Sequence, residues 1–470
     1  MDKIKFGNDG WWGIIAKDFT IANVAKVAYA VARWTTSKQR DSAVVLGYDT
    51  RFGGEMFMEA MAKIIASKGV QVYISESFVT SPMVSLGVLK LKAQCGIVIT
   101  ASHNASPYNG IKLKGAYGGA MLKNDLDNIQ NLITSDYEFD LEMLNWNYLL
   151  EQGKIQYINL ESIYLKHIHD SFEISALQQP STRFGFDSMY GSSQQVMRKL
   201  FPQAKHFHSQ VNPSFNNMPP DPLYRNLHEL AEHILQQKDI DAAFAVDADG
   251  DRLAFFDSHG SYINSHKIFL LIIHYLVKYK GLSGKVLAGF SMTGKIEKLC
   301  AHHGVFVQRT KIGFNYNAEI MLNEEILASG QETGGFSLGG NLPERDAVWM
   351  GIQIWSWLHE CQKPLDELLA EVEAITGSFA FDKTDLALNR NERNKILDCC
   401  KNGLFTEFGS CKVLKTDDTD GYKFYFSDDE WILLRPSTIH PLVRLYAEAP
   451  SHNRVRELIQ EAVVRINKEL

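Results

Sequence analysis

Three times along the chain, short apolar runs of strand length alternate with stretches of helical spacing and finish in a polar, glycine-containing loop. The first series has Ala43–Tyr48 as a buried strand and 55–68 as a helix. Met56, Phe57, Ala60, Met61, Ile64 and Ile65 form the apolar face of that helix, and Gly69 ends it. A strand over 70–74, a helix over 81–92 with Pro82 in its first turn, and a strand over 96–100 follow. In the second series Phe184–Asp187 reads as a strand, a helix opens at Gly191, another covers 223–235, and the strand Ala242–Val246 runs into Asp247. The third has strands at 285–290, 305–307 and 326–328, with helices at 294–302 and 315–322 between them.

Alternation of this kind builds mixed, mainly parallel sheets with helices on both faces, and ligands bind beyond the carboxyl ends of the strands. The final stretch differs. Strands at 421–426, 431–434 and 445–449 precede a helix over 454–470, which makes a smaller α+β unit. The expectation is three tandem α/β domains and a C-terminal α+β domain, with boundaries at 1–150, 151–258, 259–375 and 376–470. A length of 470 residues also calls for about three or four domains.

Composition narrows the partners. With 45% hydrophobic and 22% charged residues and a net charge of −7, the chain has the balance of a globular protein and no electrostatic sign of a nucleic-acid partner. The six cysteines form no C-x-x-C pair and are too sparse for a disulfide framework, which favours a reducing compartment. The N-terminus has no apolar signal stretch, and the longest apolar run, 268–277, is interrupted by His274 and too short to span a membrane. These features predict a cytoplasmic protein without a membrane partner.

Four loops hold the candidate chemistry. The first runs from Thr100 to Lys112 and presents Ser102, a possible covalent phosphoryl carrier, beside His103 and Lys112. The same residue types also make an ordinary polar turn. In the second, Asp247, Asp249 and Asp251 alternate after a strand, so three carboxylates can converge on a hard cation such as Mg²⁺. An EF-hand is disfavoured, because its twelfth position is Ser258 rather than Glu, and solvated surface acids are the other alternative. The third loop, 330–335, places Gly330, Gln331 and Thr333 where amide and hydroxyl groups suit a sugar, though many glycine-rich turns look alike. The fourth holds Arg435, Ser437 and Arg444, which suit a phosphate or an exposed ion-pair cluster equally well.

In this order the loops resemble those of the α-D-phosphohexomutases, from about residue 4 to residue 449. The family's T-A-S-H-N-P-x-x-Y-N-G-x-K matches Thr100 to Lys112, and its D-x-D-x-D-R matches Asp247 to Arg252. The resemblance implies a heart-shaped, four-domain phosphoglucomutase or phosphomannomutase working as a monomer or homodimer. Ser102 would carry the phosphoryl group. Asp247, Asp249 and Asp251 would bind Mg²⁺ with the phosphoserine as a further ligand. His103 and Arg252 would support the phosphoserine, and Lys112 would be the general acid/base. Lys311 lies in a further family loop of the third domain. The small-molecule partners would be sugar phosphates, with hexose 1,6-bisphosphate as intermediate and activator. Glucose is expected ahead of mannose, and glucosamine third; a sugar-phosphate-binding relative with weak or lost catalysis is the other alternative. The sequence departs from the family at Trp12 (an Arg there), at Gln331 and Thr333 (Glu and Ser), and at Thr438, Ile439 and His440 (Gly, Thr and Glu).

Overall fold

The strand-forming runs assemble around the sites where their loops begin. In the computed structural model, residues 4–38, 42–134, 140–179, 183–437 and 442–470 are described. Thr438, Ile439 and His440 therefore lie outside the described residues. The chain folds as two compact units, Met1–Ile272 with Gly313–Leu368, and Ile273–Ile312 with Leu369–Leu470.

In the first unit, seven strands form one sheet: β1 (Gly10–Ile14), β2 (Ala43–Tyr48), β3 (Gln71–Ser75), β4 (Cys95–Ile99), β5 (Tyr108–Gly115), β6 (Gly119–Ala120) and β7 (Ile155–Ile158). Their order is β1-β5-β4-β2-β3-β7, with β6 beside β5. The β4-β2-β3-β7 ladder is parallel, as crossover helices Gly54–Ser67 and Ser81–Lys90 require, whereas β5 runs antiparallel to β1, β4 and β6. The second half of the expected serine loop is thus strand. Lys112 sits on β5, which the polar, glycine-bearing Tyr-Asn-Gly run disguised. A core of Val24, Val27, Val31, Phe57, Met61 and Ile64 from the helices, with Val44, Leu46 and Ile97 from the sheet, holds this layer together.

A second sheet in the same unit contains β8 (Phe184–Asp187), β9 (Lys205–Phe207), β10 (Ala242–Val246), β11 (Leu253–Asp257) and β12 (Tyr262–Ile263), in the order β12-β11-β10-β8-β9. β10 is parallel to β8 and antiparallel to β11, so the Asp247–Arg252 loop is a tight hairpin connection. The helix expected over 223–235 is a 3₁₀ turn, Tyr224–Asn226, followed by the helix His228–Gln237. The hairpin β15 (Ile326–Gly330) and β16 (Phe336–Leu338) also belongs to this unit.

The second unit contains the parallel pair β13 (Lys285–Gly289) and β14 (Val307–Thr310). It continues with β17 (Ala380–Ala387), β18 (Glu407–Phe408), β19 (Cys411–Lys412), β20 (Lys415–Asp417), β21 (Tyr422–Tyr425), β22 (Trp431–Pro436) and β23 (Leu442–Ala449). Five of these form an antiparallel sheet, β17-β23-β22-β21-β20. Helices Arg390–Lys401 and His452–Asn467 cover it through Ile396, Val455, Leu458 and Ile466. No described helix is long and apolar enough to cross a membrane.

Candidate active site

The triad loop is shaped by its own backbone. Asp247 Oδ1 accepts hydrogen bonds from the N–H groups of Asp251 (2.9 Å) and Arg252 (3.1 Å), which closes the turn. Gly250 is at φ 72°, and a Cβ there would lie 2.9 Å from Thr80 Cγ2, so the loop needs glycine at this position. One ligand atom from each of Asp247, Asp249 and Asp251 lies within 4.8 Å of the others, and all three residues are fully buried.

The serine loop meets this triad. Ser102 Oγ donates to Asp247 Oδ2 at 2.6 Å. Lys112, reaching in from β5, donates to Asp249 Oδ2 and Asp251 Oδ2, both at 2.6 Å. The Ser81 hydroxyl, at the first turn of Ser81–Lys90, also donates to Asp249. Burial opposes the Lys112 charge, but Asp249 and Asp251 outweigh it and raise its pKa. Burial and the neighbouring carboxylates Asp249 and Asp251 raise that of Asp247 well above the usual range. Asp251 is driven well below that range: burial acts against ionisation, but Arg345, Lys112 and Arg252 prevail.

Both oxygens of Asp247 and the Oδ2 atoms of Asp249 and Asp251 face protein donors. Asp249 Oδ1 and Asp251 Oδ1, in contrast, are buried without a hydrogen-bond partner among the described residues. A buried, all-oxygen, strongly anionic set with spare acceptor capacity fits Mg²⁺.

Several site residues were not evident from sequence. Asp49, Thr50 and Arg51 follow β2 in the same strand-then-polar-loop pattern, a signal that could have exposed them. Arg51 is buried, and its guanidinium donates to the carbonyls of Ser102, Asn104 (2.6 Å), Ala105 (3.0 Å) and Tyr108 (3.1 Å). One side chain therefore sets the path of the serine loop. Asp49 Oδ2 accepts from Thr100 Oγ1 (2.6 Å), which in turn accepts from the Ser102 N–H (2.8 Å). Arg345 pairs with Asp251 (2.7 Å) and Asp9 (3.3 Å). Its neighbour Glu344 pairs with Lys114 and accepts from Ser85 at 2.9 Å.

The other expected residues are distributed as follows. Arg252 is mostly buried and lies 3.4 Å from Asp221, and His103 is half-buried beside Ser102. Gly330, Gln331 and Thr333 lie in the β15–β16 hairpin, which reaches the triad loop through a hydrogen bond from the Leu253 N–H to the Gly334 carbonyl (3.0 Å). Lys311, Arg435, Ser437 and Arg444 belong to the second unit. There Arg435 Nε donates to Asp420 (3.1 Å), and Arg444 grips Asp385 with two bonds, 2.6 and 3.1 Å. Trp12 shares a face of the β1–β5 ladder with Lys112, being opposite Gly110, where a Cβ would strike its ring at 2.3 Å.

Known proteins match this chain over nearly its whole length. Residues 3–139, 162–260 and 264–375 match phosphoglucomutase/phosphomannomutase alpha/beta/alpha domains I, II and III respectively. A phosphoglucomutase/phosphomannomutase of Thermococcus kodakarensis is 26% identical over 99% of both chains. A phosphoglucosamine/phosphogalactosamine mutase of Sulfurisphaera tokodaii is 27% identical over 97% of both. A crystal structure from Thermus thermophilus superposes with a TM-score of 0.86 at 27% identity, covering 99% of each chain. With all three α/β domains matched in order, the chain belongs to the phosphoglucomutase/phosphomannomutase family, whose members are intramolecular phosphotransferases of the isomerase class.

Proposed function

We propose that the protein interconverts hexose 1-phosphates and hexose 6-phosphates, with glucose ahead of mannose, through a phosphoserine at Ser102 and a hexose 1,6-bisphosphate. The observation that carries this reading is the 2.6 Å contact of Ser102 Oγ with Asp247, beside a lysine that bridges the other two carboxylates. Phosphoryl transfer needs positioning and charge neutralisation above all. Asp247, Asp249 and Asp251 would hold Mg²⁺, which supplies positive charge at the transferring phosphoryl when bound.

The phosphoryl group leaves Ser102 Oγ for the free O6 or O1 of the sugar. The bisphosphate then turns round, and its other phosphate returns to Ser102. Lys112 holds a proton at Nζ against Asp249 and Asp251; as general acid/base it would give that proton to the departing Ser102 Oγ and take in exchange the proton that the attacking sugar hydroxyl loses, so that it ends each transfer charged as it began. Arg51 keeps the loop carbonyls fixed throughout. The hairpin residues Gln331 and Thr333 take the sugar hydroxyls, and Lys311, Arg435, Ser437 and Arg444 take the phosphate that is not reacting.

Coupled assays with glucose, mannose and glucosamine 1-phosphates, each primed with its 1,6-bisphosphate, test the reading. Turnover with glucose 1-phosphate, lost in Ser102→Ala while the variant stays folded, is the expected result. Turnover of glucosamine 1-phosphate alone would move the protein to the alternative substrate. Binding without any turnover would favour the non-catalytic relative that Trp12 and Gln331 suggest.

A further inference from the structure

Backbone strain in this protein is concentrated beside the reacting loops. Of eleven non-glycine residues with positive φ among the described residues, seven are Ser102, Met189, Tyr190, His208, Phe215, Asn216 and Asn217. The last three are consecutive, at φ 49°, 54° and 59°. A left-handed turn is disfavoured for any L-residue, and a bulky aromatic there is a marked outlier. Such outliers persist only where the surroundings enforce them, and they gather at functional sites.

The surroundings of Phe215 explain what the turn achieves. Its side chain is fully buried and packs with Tyr190 and Ala248. Ala248 lies between two carboxylates of the triad, and its carbonyl accepts from both the N–H (2.8 Å) and the hydroxyl (2.7 Å) of Ser192. The Phe215 ring also lies 4.8 Å from the Arg51 guanidinium carbon, a cation–π distance. Thr50 Oγ1 meanwhile donates to the Tyr190 carbonyl at 2.8 Å. The turn is tied down at 2.9 Å by two backbone hydrogen bonds, Phe215 N–H to Asn212 and Asn217 N–H to Ser214.

We propose that Phe215 is a positioning residue: its ring, forced inward by the left-handed turn, sets the distance between the serine loop, through Arg51, and the triad loop, through Ala248. The inference rests on Ser102 and the triad being the reacting centre. The Phe215 side chain is a hydrocarbon ring and offers no group to the reaction itself. Its effect is therefore on alignment, where a displacement of about 1 Å can cost on the order of a hundredfold in rate.

The test compares F215L, F215Y and S102A as full-length proteins. F215L keeps an apolar side chain against Tyr190 and Ala248 but removes the aromatic face from Arg51. The expected result is a kcat roughly tenfold to a hundredfold lower, slower phosphorylation of Ser102 by glucose 1,6-bisphosphate in time-resolved intact-mass measurements, and an unchanged KM. F215Y, which retains the ring, recovers most of the rate. Wild-type kcat in F215L, or a loss carried wholly by KM, overturns the proposal. If F215L is not obtained folded, F215M is read against the same two outcomes. S102A separates the premises: turnover by S102A refutes the phosphoserine reading itself, whereas an inactive S102A beside a fully active F215L refutes only the role of Phe215.

Discussion

At the scale of single residues, the site is governed by side chains that serve several partners at once. Arg51 spreads one guanidinium over four carbonyls of the serine loop. Lysine offers three donors without the planar fork, so Arg51→Lys is expected to lower kcat by about tenfold or more, with a modest fall in melting temperature. Steady-state kinetics and a thermal melt on the same sample check both. Asp249 is buried, with Lys112 and Ser81 on one oxygen and no hydrogen-bond partner on the other among the described residues. Asp249→Asn removes one of three anionic ligands, and calorimetric titration with Mg²⁺ should show weaker binding than in the wild type. Unchanged binding would mean that the cation is held elsewhere.

Among the elements, β21 and β22 present a contrast to the sheet that carries Lys112. Lys423 on β21 is buried, its ammonium 3.6 Å from the Trp431 ring centroid and 3.4 Å from the Phe290 carbonyl. Burial, reinforced by Arg309, lowers its pKa to about 7, despite the attraction of Glu448. In the unfolded chain the group stays protonated up to about pH 10.4. Between these values the unfolded state binds the extra proton, so stability rises as pH rises from about 7 towards 10 and is lost on acidification through the folded pKa. Lys423→Met is therefore expected to stabilise the second unit, most at pH 6.5 and progressively less towards pH 10. Slower amide exchange in β21 and β22 at pH 6.5 is the local readout. A destabilised variant would show that the aromatic contact outweighs the burial of the charge.

For the molecule as a whole, the two units carry different parts of the proposed chemistry. Ser102 and the aspartate triad, proposed to react, are in the first; Arg435 and Arg444 stand directly opposite one another on β22 and β23 of the second. Like charges in that position repel, and each is steadied by a carboxylate, Asp420 or Asp385. If they take the phosphate that is not reacting, Arg435→Ala should raise KM and lower kcat/KM by roughly tenfold to a hundredfold, the value of a charge-assisted hydrogen bond. The loss should be similar with 1-phosphate and 6-phosphate substrates, because each presents its idle phosphate in turn. No change in either direction would remove Arg435 from substrate binding.

How much of this is legible in the sequence depends on the range of the interaction. Strand-end loops and the alternation of Asp247, Asp249 and Asp251 can be read locally, because a periodic apolar run identifies an element and a short loop keeps its side chains together. The serine loop is legible as a motif, but its second half is a strand that the pattern hides, because Tyr108, Asn109 and Gly110 lack the apolar alternation of one. Other features are invisible to local reasoning. Lys112 finds Asp249 across 137 residues, Arg51 finds the Ser102 carbonyl across 51, and Arg345 reaches both Asp251 and Asp9. No period or spacing encodes these pairings. They arise because β5 inserts antiparallel between β1 and β4, and because the second sheet brings its β10–β11 turn to the residues that β5 carries. By itself the sequence determined which groups could share a loop. Only the tertiary structure decided which buried charges would neutralise one another, since a charge removed from water must take whatever partner the packing of the sheets supplies.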